Sequence, residues 1–197
     1  MELDPAALDR KQSYFLQISC IIPRPIALVT SVSKEGVVNL APFSYFNGVS
    51  SSPPIISIAV GTRKGGARKD TWRNIEESGE FVVNVVVPDL MDAVIIGAKD
   101  HPPEVSELEL SKLPSVPSKR VKPPRLWDSP ISMECSLYKL VDVEGTALIL
   151  GRILLYHVRD DLVTDGQVDP HRLTFVGRLG ADWYCRVNDI FEHKRQP

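Results

Sequence analysis

Short apolar runs rich in β-branched residues, broken every six to ten positions by turn-forming residues, set the rhythm of the chain. Ile26 to Val32 is such a run, Ser33-Lys-Glu-Gly36 supplies a turn, and Val37 to Ala41 returns, which predicts a hairpin. Phe43 to Ser50 and Ile55 to Val60 follow, separated by Ser51-Ser-Pro-Pro54, whose prolines cannot donate to a ladder. A meander of four strands is expected from these segments.

The period then changes. Asp70 to Ser78 reads as a short helix capped by Asp70 or Thr71 and stopped by Gly79. Phe81 to Val87 is a further strand, and Pro88 to Asp100 resembles another short helix. The Pro-rich stretch from His101 to Pro124 is expected to run over the surface. Ser132 to Leu137 alternates as a half-buried strand does. Ala147 to Val158 is a long strand pattern interrupted by Gly151, which suggests a bulge or barrel corner, and Trp183 to Val187 makes a last strand. Predominantly antiparallel β with a few helices points to a small barrel.

Length and composition sharpen this picture. A chain of 197 residues that is 43% hydrophobic can bury one sizeable core, so one domain over residues 1–197 is expected. The 23 basic and 25 acidic residues are intermixed, giving a net charge of −2 and no broad patch for nucleic acid or an acidic membrane. No leader or membrane span is recognisable, so a soluble, cytoplasmic protein is expected. Cys20, Cys135 and Cys185 share no metal-ligand spacing with His101, His157, His171 or His193, so no metal site is expected and buried free thiols are.

Two segments carry candidate chemistry. Arg63-Lys-Gly-Gly-Ala-Arg-Lys-Asp-Thr71 is a basic, flexible loop that runs into a helix start. The unpaired N–H groups and positive dipole end there, the Thr71 hydroxyl and the charge of Arg63 or Lys69 suit a phosphate. The same residues also suit a solvated loop with an ordinary cap. The loop is not a triphosphate-binding motif, since position 67 is Ala67, and no GxGxxG follows a strand. A nicotinamide nucleotide would therefore be a transient co-substrate and not a resident ligand. In the second segment Asn39, Ser44, Asn47, Ser50 and Ser51 interrupt apolar strands. Buried polar groups need partners, which the pyrimidine edge of a flavin offers, unless these residues face solvent.

Taken together, Pro23-Arg-Pro-Ile-Ala-Leu-Val-Thr30, Asn39-Leu-Ala-Pro-Phe-Ser44, Lys69-Asp-Thr71, Asn74-Ile75, Gly79-Glu-Phe-Val-Val-Asn84, Ser129-Pro130, Glu134-Cys135, Gly151-Arg-Ile and Gly177-Arg-Leu-Gly-Ala-Asp-Trp-Tyr184 resemble the flavin reductase-like family of FMN-binding split barrels. The resemblance runs from about Ile18 to Phe191 and departs from the family pattern at Ala181 and Trp183. It implies a mainly β fold, a six-stranded antiparallel split barrel with short helices and a C-terminal extension. It also implies a homodimer with FMN between subunits, NADH or NADPH as electron donor, and a small-molecule or protein acceptor. By the same resemblance Thr30 and Ser31 approach the flavin, Ala41, Pro42, Phe43 and Ser44 line its ring, and Asn47 and Ser50 contact ring or ribityl chain. Arg63, Lys69, Asp70 and Thr71 form the phosphate group of residues. No catalytic residue is named, because hydride transfer to a flavin needs stacking and orientation and no protein acid or base. The alternative within this resemblance is an FMN-dependent electron carrier reduced by a partner protein.

Overall fold

The structure is a computed structural model, and residues 1–194 are described. After a 3-10 turn at Pro5–Ala7 comes helix α1 (Arg10–Cys20), which has no counterpart among the expected elements because only Ile18 on it is buried. A reciprocal box starts the helix, with Asp9 accepting from the Gln12 backbone and Gln12 accepting from that of Asp9. Strands β1 (Arg24–Pro25), β2 (Ala27–Val32), β3 (Val38–Phe43), β4 (Phe46–Ser51) and β5 (Pro54–Val60) follow. Helix α2 (Asp70–Ser78) leads into β6 (Glu80–Val85), and α3 (Met91–Gly97) and α4 (Glu107–Ser111) come next. The short β7 (Ser115–Val116) and β8 (Arg125–Leu126) precede the long strands β9 (Ile131–Val143) and β10 (Thr146–Val158). The chain ends through β11 (Val163–Thr164), β12 (Gln167–Val168), β13 (Phe175–Arg178) and β14 (Tyr184–Val187). No described helix is long and apolar enough to cross a membrane.

The main sheet is antiparallel and holds seven strands in the order β3-β2-β6-β9-β10-β5-β4, one more than expected for the barrel. The expected hairpin forms between β2 and β3, and β4 pairs with β5, but the four strands do not make a meander. The chain crosses from one sheet edge to the other between Phe43 and Phe46, so β3 and β4 become opposite edges of the split barrel. Strand order is settled by pairing with β6, β9 and β10, which local periodicity does not encode. A second sheet, β1-β13-β14, packs beside it.

Both faces of β2 are buried, which is why its sequence is a continuous apolar run. Ala27 and Val29 join the interior cluster with Ile58, Trp72, Ile75, Phe81, Val83 and Ile149. Ile26 and Leu28 join a second cluster with Leu40, Leu90, Val94, Leu108 and Leu126, which seats α3 and α4 on the back of the sheet. Each fully buried Leu, Ile or Phe stabilises this arrangement by roughly 1.5–3 kcal/mol. Gly151 meets its expectation, since the β9–β10 register shifts between Leu150 and Gly151. A Cβ there would stand 2.3 Å from Phe81 Cζ, so the glycine makes room for the barrel's central aromatic ring. The thiols only partly follow the sequence reading: all three are free, yet Cys20 is exposed and Cys185 half-buried, leaving Cys135 as the buried one.

Candidate functional site

A cavity of about 240 Å³ opens where β3, α1, α2, α3 and the β13–β14 turn converge. Its floor is the outer edge of β3. Edge strands leave N–H and C=O groups unpaired, and here side chains of α4 and the residue before it satisfy them. Ser106 Oγ donates to Val38 O at 2.6 Å, and Glu107 Oε2 accepts from Leu40 N at 3.1 Å. Two residues further along the same edge stands Pro42, which has no N–H to leave unpaired. The edge is therefore open toward the cavity without an orphan donor. Helix α3 is held against β3 at Gly97, where a Cβ would come 2.3 Å from Leu40 O.

The N-terminus of α2 forms one wall. Trp72 and Ile75 turn into the core, and Gly79 ends the helix in the left-handed region at φ 71°. The N-cap is Lys69 and not Asp70 or Thr71, and no side chain caps the first turn. The two expected caps are engaged elsewhere. Asp70 accepts from Arg63 and from Arg73, and Thr71 Oγ1 accepts from Asn39 Nδ2 at 2.9 Å. The helix start consequently presents free N–H groups and its dipole end to the cavity. Two guanidiniums against one carboxylate leave this wall positive, and Lys69 adds a cation with no ion pair among the described residues.

The opposite wall carries Arg24 and Arg178, which are register partners on β1 and β13, together with Tyr184 and Tyr14. Glu107 lies among the lining residues with only 5% exposure. Burial pushes its carboxyl above the usual range, against the opposing pull of its own backbone N–H and that of Leu40, while Asp70 adds to the rise.

Of the residues singled out in the sequence, Ala41, Pro42, Phe43, Ser44, Arg63, Lys69, Asp70 and Thr71 are brought together here. Thr30 and Ser31 are not, because both are fully buried behind the wall. Thr30 Oγ1 donates to Pro124 O at 2.6 Å, and Ser31 Oγ accepts from Asn39 at 3.3 Å and Asn74 at 3.1 Å. Asn47 and Ser50 stand exposed on β4, outside the cavity, with the Asn47 side chain turned back onto Gly48 N. Arg63, expected with Lys69 as a phosphate cation, donates to Asp70 and to His101 O at 2.8 Å. Trp127 is 68% exposed and so is not a core residue. Tyr14, Glu107, Gly97 and Lys99 were missed, and nothing local in the sequence connects them to β3. Arg24 and Arg178 were visible only as parts of the resemblance motifs.

The flavin reductase-like domain family matches residues 18–176. Among solved structures, nitrilotriacetate monooxygenase component B from Bacillus cereus superposes with a TM-score of 0.93 at 38% identity, covering 98% of each chain. Pseudomonas fluorescens 2-nitrobenzoate 2-nitroreductase superposes at 0.91 with 33% identity, over 100% of this chain and 96% of that one. A split-barrel protein of Shewanella frigidimarina, at 19% identity and a TM-score of 0.86 over 100% of both chains, shares the fold.

Proposed function

From the flavin reductase-like domain family, to which this chain belongs, we propose an FMN-binding oxidoreductase that takes electrons from NADH or NADPH and delivers them to a small-molecule or protein acceptor. One observation carries the reading: the uncapped start of α2, with Lys69 and Thr71, opens onto the same cavity as the Ala41–Ser44 edge of β3. The residues fit the group. A phosphate suits the free N–H groups, the Lys69 ammonium and the Thr71 hydroxyl. Asn39 holds that hydroxyl in place from β3, so the phosphate end and the ring-lining edge are fixed to one another. Ala41, Pro42 and Phe43 offer an apolar surface to a planar ring, and Ser44 a polar one.

Bound flavin supplies hydride acceptance and electron release, and the chain's part is to orient it, exclude water and admit the donor. A homodimer belongs to the same proposal. Strand β4 is an exposed edge carrying Val49, and Tyr138, Val143, Leu154 and Tyr156 are exposed apolar residues on β9 and β10. A second copy covering that face is what Asn47 and Ser50 need to meet a ligand, and light scattering on the purified protein tests it.

The deciding experiment is the visible spectrum of the purified chain, followed by NADH and NADPH added separately without oxygen. Flavin bands that bleach with either nucleotide are expected. Bands that persist with both, but bleach on reduction by a partner protein, replace the reductase with an electron carrier. No bands even after adding FMN overturns the flavin reading.

A further inference from the structure

The cavity has a second positive wall that the phosphate reading does not use. Arg24 is 4% exposed, yet every acceptor it meets is neutral. Its Nε donates to Ser44 Oγ at 3.2 Å, Nη1 to Ile18 O at 2.5 Å and Ile21 O at 2.6 Å, and Nη2 to Leu179 O at 2.9 Å. Across the β1–β13 ladder from it, Arg178 donates to Tyr184 Oη and Ala181 O and stacks on the Tyr184 ring with 4.3 Å to the centroid. Neither arginine has an ion pair among the described residues. Two neighbouring guanidiniums without an ion-paired carboxylate are costly in a partly dry site, and a bound anion offsets that cost. The cation pair is felt in Arg178 itself: burial lowers its basicity, as does Arg24, and the pull of Asp182 and Tyr14 does not restore it. Arg24 has four of its five donors engaged and serves as a fixed charge behind the wall. Arg178 faces the cavity with only two of its donors engaged, and Tyr184 holds its plane in place.

We propose that Arg178, backed by Arg24, is an anion subsite separate from the α2 start, which takes the phosphate or carboxylate of the molecule that exchanges electrons with the cofactor. The inference rests on the oxidoreductase reading only for what that molecule does; the anion site itself stands on the two arginines. A phosphate points to the nicotinamide nucleotide and a carboxylate to an aromatic acid acceptor, and Tyr14 and Tyr184 provide aromatic surface for either.

The test is calorimetric titration of the full chain, with and without FMN, using NAD+, NADP+, benzoate, and nicotinamide riboside as the phosphate-free control. Arg178→Gln keeps a side chain able to reach Tyr184 and Ala181, and Arg178→Lys restores the charge. The Gln variant is expected to weaken either the dinucleotides or benzoate by about tenfold or more, with partial recovery in the Lys variant. Riboside and FMN affinities are expected to stay within about twofold, well below one charge-assisted bond. The ligand that weakens identifies the source of the anion. The proposal is overturned by wild-type protein that binds none of these anions, by unchanged anion affinities in the Gln variant, by parallel loss of FMN, or by equal loss of the riboside. Titrations without FMN keep a failure of flavin binding distinct from a failure of the anion site.

Discussion

Two polar clusters among the described residues, one around Glu134 and one at the cavity, differ in whether the protein completes them. On β9 and β10, Glu134 is fully buried, accepts from Lys119 N at 2.8 Å and Arg120 N at 2.5 Å, and pairs with His157 Nε2 at 2.6 Å. Arg125 stands 3.9 Å away. Burial works against the ionised carboxyl, but the Lys119 N–H, the His157 bond and the Arg120 N–H outweigh it and hold Glu134 below the usual range. At the cavity, by contrast, the α2 start lacks a side-chain cap, Lys69 has no ion-paired carboxylate among the described residues and Arg178 keeps open donors. A cluster closed by the chain's own donors fixes the path of the backbone. One left open on a cavity wall is where a ligand completes the structure.

The largest expected effect tests the closed cluster. Glu134→Ala strands two backbone N–H groups and His157, and is expected to cost about 3–5 kcal/mol of stability, read as a lower urea midpoint. Flavin affinity of the folded fraction is expected to stay unchanged. If it falls together with stability, the two clusters are one system and the contrast between them fails.

The same contrast explains what the sequence did and did not disclose. Val29, Ile58 and Phe81 announce their strands locally, and Gly79 announces the end of α2, because β-branched runs and a left-handed stop act over a few residues. Apart from its place in the resemblance motif Glu134-Cys135, Glu134 reads as one position of an alternating strand, since its partners arrive from a loop 15 residues earlier and a strand 23 residues later. Arg24 and Leu179 O are 155 residues apart, so no pattern in either segment shows that they share a wall. Lys69, Asp70 and Thr71 were legible as a helix start, but which of them caps it depended on Asn39 and Arg63 reaching in from outside. The basic loop was thus readable as chemistry, while the division of its charges was not.

Next in size is the open cluster. Lys69→Ala removes the unpaired cation at the α2 start and is expected to weaken FMN by about 1.5–3 kcal/mol while leaving riboflavin, which has no phosphate, unaffected. Its urea midpoint is expected to match that of the parent protein. Equal weakening of FMN and riboflavin would move the phosphate away from α2. Gly97→Ala links the two kinds of readout, since its Cβ would press on Leu40 O and lever α3 off the cavity floor. A cost of about 1–3 kcal/mol in stability is expected, with weaker binding of FMN and riboflavin alike.

The smallest effect is a difference in sign between the two buried glutamates. Glu107 titrates above its ordinary 4.5 in the folded chain, so folding takes up a proton just above that value. Stability then falls as pH rises from 4.5 through the raised folded value, and is level beyond it. Glu134 titrates below 4.5 when folded, so its contribution is present above 4.5 and is lost as pH falls through the depressed folded value. The two slopes therefore lie on opposite sides of one pH and have opposite signs. Glu107→Gln keeps an acceptor for Leu40 N and is expected to abolish only the upper slope in urea midpoints measured from mildly acidic to neutral pH. A slope that survives the substitution would show that Glu107 is not the group that takes up the proton on folding. The cavity's buried acid would then be as closed electrostatically as Glu134, and the open cluster would consist of its cations alone.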